Sequence, residues 1–172
     1  MRKIWFLVLW PCLCHALQAQ TPELPLTKGM HITSSCRIRP GEYLLTADSA
    51  SEMAVCTIQG NDLEIDFQNA ELRGAAEAIL PDRFTGYGLV VLGNNIRIKN
   101  ARIRGFKVAV YAENAGRLTL ENCDVSYNFR PRLLSTRLKE NESDWLSYHH
   151  NEADEWLRYG AGIYLKNCRE AT

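Results

Sequence analysis

Ile65-Asp66-Phe67-Gln68-Asn69-Ala70-Glu71-Leu72-Arg73-Gly74 recurs as Ile96-Arg97-Ile98-Lys99-Asn100-Ala101-Arg102-Ile103-Arg104-Gly105 and again as Leu118-Thr119-Leu120-Glu121-Asn122-Cys123-Asp124-Val125-Ser126-Tyr127. Each copy holds two apolar positions two apart, an asparagine, and an aliphatic residue three further on. The offsets between copies correspond to one unit of roughly 22 residues with an enlarged first copy, the length of a solenoid coil.

The alternation in Ile96-Arg97-Ile98 and Leu118-Thr119-Leu120 has the period of a strand with one buried face. A second apolar stretch precedes it in successive units: Gly88-Leu89-Val90-Val91-Leu92, then Val108-Ala109-Val110-Tyr111, then Gly162-Ile163-Tyr164-Leu165. Each unit therefore holds about three short strands joined by bends carrying Gly, Asn or Asp. Bends that recur at one place per unit belong to a chain winding in one direction. Equivalent strands then stack roughly 4.8 Å apart as parallel sheets. Asn69, Asn100 and Asn122 fit left-handed bend positions and a ladder of side-chain amides, and Gly74 and Gly105 permit bends. Thr21 to Met30 is the segment positioned to cover the first coil's strand edges. Ile163 to Asn167 opens a further coil and Thr172 falls where its alternating strand is due, so the chain reads as the N-terminal part of a longer solenoid.

Residues 1–20 have a different character. Arg2 and Lys3 precede Ile4-Trp5-Phe6-Leu7-Val8-Leu9-Trp10, and small and polar residues follow through Ala19, the pattern of a secretory signal peptide. The apolar run is far short of the roughly 20 residues of a membrane span. The expected protein is secreted or periplasmic, with no membrane span after cleavage and a domain over 21–172. Without Arg2 and Lys3 the remainder carries two more acidic than basic residues, which excludes the basic surface of a nucleic-acid binder. An oxidising compartment permits disulfides. Cys36 and Cys56 are the candidate pair, closing a loop around the first coil. Cys123 and Cys168, each preceded by asparagine, read as small buried hydrophobes. No zinc spacing is present.

The Pro40-Gly41-Glu42-Tyr43 opening followed by repeated aliphatic-x-aliphatic-x-Asn units resembles secreted right-handed parallel β-helix proteins of the pectate-lyase-like superfamily, over residues 30–172. The resemblance implies an all-β, right-handed parallel β-helix of about four coils. It leaves the activity open, because that superfamily includes polysaccharide lyases, hydrolases and epimerases beside tailspikes, adhesins and periplasmic maturation factors. The Asp-Pro-His-Asp signature of alginate epimerases and the spaced aspartates of polygalacturonases are absent from the sequence.

Two inserts interrupt the coils, and loops on a rigid platform are where such folds carry function. The smaller, Ala75 to Gly86, reads as a turn of helix over 75–80 and then a loop. The larger, 128–160, has the densest chemistry. Its segment from Asp144 to Gly160 winds as a helix, with Leu146, His149 or His150, Ala153, and Trp156 or Leu157 recurring on one face. One reading is an amphipathic lid. A second is a carbohydrate surface, with Trp145, Tyr148, Trp156 and Tyr159 stacking on sugar rings. A third is catalytic, with His149, His150, Glu152, Asp154 and Arg158 as acid, base or charge-stabilising groups at a glycosidic bond or beside a uronate carboxylate. His149 and His150 point about 100° apart on a helix and do not converge as metal ligands. Calcium held by scattered carboxylates has no clustered acidic loop to support it. The expected function is polysaccharide binding, with processing of lyase, hydrolase or epimerase type; the alternative is a non-catalytic β-helix scaffold or adhesin.

Overall fold

A computed structural model describes residues 21–47, 54–144 and 160–172. The described residues form eleven strands: β1 (Glu23–Leu24), β2 (Met30–Ile32), β3 (Cys36–Ile38), β4 (Glu42–Leu44), β5 (Ala54–Asp66), β6 (Glu71–Arg73), β7 (Tyr87–Lys99), β8 (Arg102–Arg104), β9 (Val108–Gly116), β10 (Thr119–Glu121) and β11 (Ala161–Lys166). All pairings are parallel. The chain therefore winds in coils of three faces. β2, the first half of β5, the first half of β7, β9 and β11 line one face. β1, β3, the second halves of β5 and β7, and β10 line the next. β4, β6 and β8 form the third, extended by an Arg102–Asp124 bridge.

β5 and β7 cover two faces because each bends in the middle. Asp62, Asn95 and Asn114 take the left-handed conformation at this first corner, which short polar side chains tolerate. The coils are bonded to each other there: Asn94 N donates to Asn61 Oδ1 at 3.0 Å, Asn95 Nδ2 to Asp62 Oδ1 at 2.6 Å, and Gly116 N to Asn94 Oδ1 at 3.1 Å. Gly93 has φ +128, and a Cβ there would lie 1.8 Å from the Gly60 carbonyl oxygen of the coil before it. Only glycine lets the two backbones approach so closely.

Inward side chains stack in columns through the register. Ile32, Ile58, Val91 and Ala112 form one, Cys36, Ile65 and Ile98 a second, and Leu72 and Ile103 a third, all at most 3% exposed. Each large aliphatic side chain so buried contributes roughly 1.5–3 kcal/mol of transfer free energy. Outward residues on the second face form a column of alternating charge: Glu23, Arg37, Asp66, Lys99 and Glu121. Directly opposed unlike charges favour this register over its neighbours. The N-terminal segment does cover the first coil, through β1, the buried Leu26, and a Gly29 N–H bonded to Val55 O.

Four expectations need revision. The repeat copies align in the third face, where Glu71 pairs with Arg102, but not in the second, where Ile65 pairs with Ile98 rather than Ile96. Two additional residues, Phe67 and Gln68, widen the second corner of that coil. Phe67 is fully buried, so its bulk holds the wider corner open. Second, the helical turn of the smaller insert falls at Pro81–Arg83, a 3₁₀ turn with proline at its start, and not over 75–80. Third, Cys36 and Cys56 are separate buried thiols and not a disulfide, each filling its own inward slot, opposite Ile65 and opposite Met30 and Leu89. Burial pushes the Cys56 thiol up to about 12, helped by Cys36 beside it. Fourth, Cys123 and Cys168 are only half-buried, packed against the edge of the core. Of the larger insert, the described part 128–144 contains a single 3₁₀ turn at Glu142–Asp144 and no longer helix. Among the described residues no helix is long and apolar enough to cross a membrane.

Candidate functional site

The loops that join one coil to the next leave from the third corner. The connections that begin at Leu45, Gly74 and Ser126 all leave there, because β4, β6 and the Asp124 bridge are stacked in register. The loops also touch. The Thr85 hydroxyl donates to Ala47 O at 3.5 Å, and the Phe84 and Tyr127 rings meet edge to face with centroids 5.7 Å apart. The larger insert is tied to the same corner at both its ends. Asn128 accepts from Phe106 N and donates to Ile103 O and Val125 O, while Gly160 lies against Lys107 O and the Phe129 ring.

Between these loops and the outer surface of β4, β6 and β8 lies a cleft of about 520 Å³. Strand alternation supplies its floor: Glu42, Glu71, Arg73 and Arg104 point outward while Tyr43, Leu72 and Ile103 point toward the core. Phe84 and Tyr127 form one rim and Glu77 another part of it. Arg73 lies 3.4 Å from Glu77 and 3.8 Å from Glu71. Arg104 donates to Asp124 at 2.6 Å. Asp124 also accepts from Ser126, and Ser126 together with Arg104 holds its carboxyl well below the usual carboxylate range. The bond to Asp124 likewise raises the Arg104 guanidinium.

Glu42 stacks directly on Glu71 in this cleft, whereas the outer column of the second face alternates in sign. Like charges in register destabilise a sheet, so this pair departs from the rule that the second face obeys. The cleft offers carboxylate acceptors and guanidinium donors side by side, beside two aromatic rings. Asp124, kept ionised, is unsuited to donate a proton as a general acid.

Trp145, Tyr148, His149, His150, Glu152, Asp154, Trp156, Arg158 and Tyr159 lie outside the described residues. None of the charged residues of the cleft floor was singled out as a site residue from sequence, although the smaller insert, Ala75 to Gly86, supplies part of the lining. Glu42, Glu71 and Arg104 sit at ordinary outward positions of short strands, and only the stacking of coils gathers them. A second aromatic feature, the column Tyr87–Tyr111–Tyr164 on the first face, has its rings stacked on one another at 5.4 and 5.7 Å. Among the described residues no three His, Cys, Asp or Glu side chains converge as metal ligands.

Compared with known proteins, residues 33–172 match the family model described as right handed beta helix region. Searches among curated proteins and among solved structures returned no match.

Proposed function

We propose, from the premise that the chain belongs to the right-handed β-helix family, that it is a secreted or periplasmic protein that binds polysaccharide in the cleft of its third face. The observation that carries this reading is the floor of that cleft, where the stacked pair Glu42–Glu71 runs beside the stacked pair Arg73–Arg104, next to the Tyr127 ring. Sugar hydroxyls both donate and accept hydrogen bonds, so a surface of neighbouring acceptors and donors suits them. The exposed Tyr127 ring at the rim adds an apolar face for the C–H face of a sugar ring. Three carboxylates against two guanidiniums in the lining favour neutral over strongly anionic chains.

Beside this floor Asp124 is held ionised and bonded to Arg104, which keeps that guanidinium charged and in place. The larger insert leaves and rejoins the coil beside the same cleft. Trp145, Tyr148, Trp156 and Tyr159 remain our proposed sugar-stacking residues on that insert. His149, His150, Glu152, Asp154 and Arg158 remain the groups on which we would place any lyase, hydrolase or epimerase chemistry.

The test is binding of the purified protein to an array of neutral and acidic polysaccharides, with Arg73→Gln, Glu42→Gln, Trp145→Ala and Trp156→Ala alongside. Retention of a neutral glycan that Arg73→Gln or Glu42→Gln weakens about tenfold supports the cleft. Loss in the tryptophan variants alone moves the site onto the insert. A folded protein that retains no glycan sinks the proposal in favour of a scaffold.

A further inference from the structure

Residues 129–139 read Phe-Arg-Pro-Arg-Leu-Leu-Ser-Thr-Arg-Leu-Lys, with four cations and no carboxylate. The fold does not bury the leucines of this segment. Leu133, Leu134 and Leu138 are 69%, 60% and 99% exposed, and Arg130, Arg132, Arg137 and Lys139 are exposed around them.

The segment is nonetheless held in one shape. The Asp144 carboxylate accepts from Leu134 N at 2.9 Å and from Ser135 N at 2.6 Å, and Asn141 N donates to Ser135 Oγ at 2.8 Å. Thr136 N donates to Lys139 O at 2.7 Å, and Lys139 N donates back to Thr136 Oγ1 at 3.1 Å. This closes a tight turn with Arg137 and Leu138 at its tip. Isolated exposed leucines are common. Three on one short loop, the foremost at the tip of a closed turn and flanked by cations, form a patch with a defined complement.

We propose that this loop docks the protein on an anionic lipid bilayer, with Leu138 entering the headgroup–acyl boundary and Arg130, Arg132, Arg137 and Lys139 lying on lipid phosphates. Such a surface places negative charge in a plane directly above an apolar layer, which complements exposed leucines set among cations on one short loop. A glycan offers no apolar layer for Leu138, so the docking surface is separate in chemistry from the cleft. Glu140 and Glu142 follow in sequence after the turn is closed and leave Arg137-Leu138-Lys139 uninterrupted.

The experiment is co-sedimentation of the protein from Thr21 onward, as after the leader cleavage expected from its sequence, with phosphatidylcholine vesicles with and without phosphatidylglycerol, for the wild type, L138S and the double variant R137Q/K139Q. Without residues 1–20, whose cations and apolar run would bind vesicles themselves, uptake reports on the loop. The expected result is uptake by the anionic vesicles, weakened about tenfold in L138S, weakened about twentyfold or more in R137Q/K139Q, and released by salt. All three substitutions lie at exposed positions, and unchanged circular dichroism shows that the fold is retained. Equal uptake by neutral and anionic vesicles, uptake unaffected by both variants, or no uptake by either vesicle overturns the proposal.

Discussion

Asn100 donates from its side-chain amide to Asp66 Oδ1 at 2.8 Å, and Asn122 donates to Asn100 Oδ1 at the same distance. The ladder at the second corner thus ends on an aspartate, while Asn69, the residue the repeat places there, bonds Asn100 through its backbone N–H only. The two residues that widen this coil, Phe67 and Gln68, displace Asn69 from the column and bring Asp66 into it. Asn100 itself has φ +55, so it meets two demands at once, a left-handed backbone and a bond to each neighbouring coil.

Those demands separate in mutants. Asn100→Gly keeps the backbone conformation and loses the ladder, and is expected to cost about 1 kcal/mol. Asn100→Ala loses both, and is expected to cost about 2–3 kcal/mol. Urea unfolding of the two variants beside wild type measures the difference. Equal costs would show that the side-chain ladder alone matters at this corner.

Gly93→Ala is expected to abolish or severely disturb folding, since its Cβ would meet the Gly60 carbonyl at 1.8 Å and its φ of +128 is strained for alanine. Gly29→Ala is the matching control. It also has a positive φ, +76, yet nothing lies within 4 Å of the new Cβ, so a loss of about 1 kcal/mol is expected. Yield and thermal melting of the two variants test whether close approach between coils, rather than backbone strain, sets the requirement at Gly93.

Two ionised aspartates tie stability to acid. Hydrogen bonds from Ser126 and Arg104 hold Asp124 low. For Asp66, partial burial opposes ionisation, but the Asn100 amide, the Gln68 N–H and the nearby Arg37 and Lys99 outweigh it. A carboxyl with a depressed folded pKa adds stability above its unfolded value, near 3.9, and that stability is lost as pH falls toward the folded value. The melting temperature should therefore be level from about pH 7 to 5 and decline below about pH 4. Asp124→Asn should melt lower at pH 7 and show a shallower decline in acid. A decline that Asp124→Asn leaves as steep as in wild type would remove Asp124 from this account.

The cysteines should divide by burial. Cys36 and Cys56, at 1% and 0% exposure and with raised pKa values, should resist alkylation at pH 8 in the native protein and react only on unfolding. Cys123 and Cys168, half-buried, should label faster. Peptide mapping after alkylation reads all four sites. A linked Cys36–Cys56 peptide would show the bridge that the first-coil spacing invites.

Much of the architecture was legible in the alternation of Ile96-Arg97-Ile98 and Leu118-Thr119-Leu120, because burial on one face imposes a period of two on any strand. The asparagines at the bends were legible for a similar local reason, since few residues accept a positive φ. The ladder at the first corner, through Asn61, Asn94 and Asn95, was not, because its members are separated by 33 residues and no short pattern links them. The cleft was missed for the same cause. Glu42, Glu71 and Arg104 look in sequence like ordinary solvated positions of short strands.

The sequence by itself determined that this protein winds in parallel coils, that asparagine marks one corner of the coil, and that the alternating aliphatic residues face the core, since these follow from local conformational preference and from the hydrophobic effect on alternating side chains. The tertiary structure alone decided the registers between coils, the aspartate that ends the asparagine ladder, and the gathering of carboxylates, guanidiniums and aromatic rims at the third corner. Those depend on how far the chain travels between one pass and the next. Two residues at Phe67-Gln68 shift the pairing of a whole strand, and hydrophobic alternation, with a period of two, is unchanged by a shift of two.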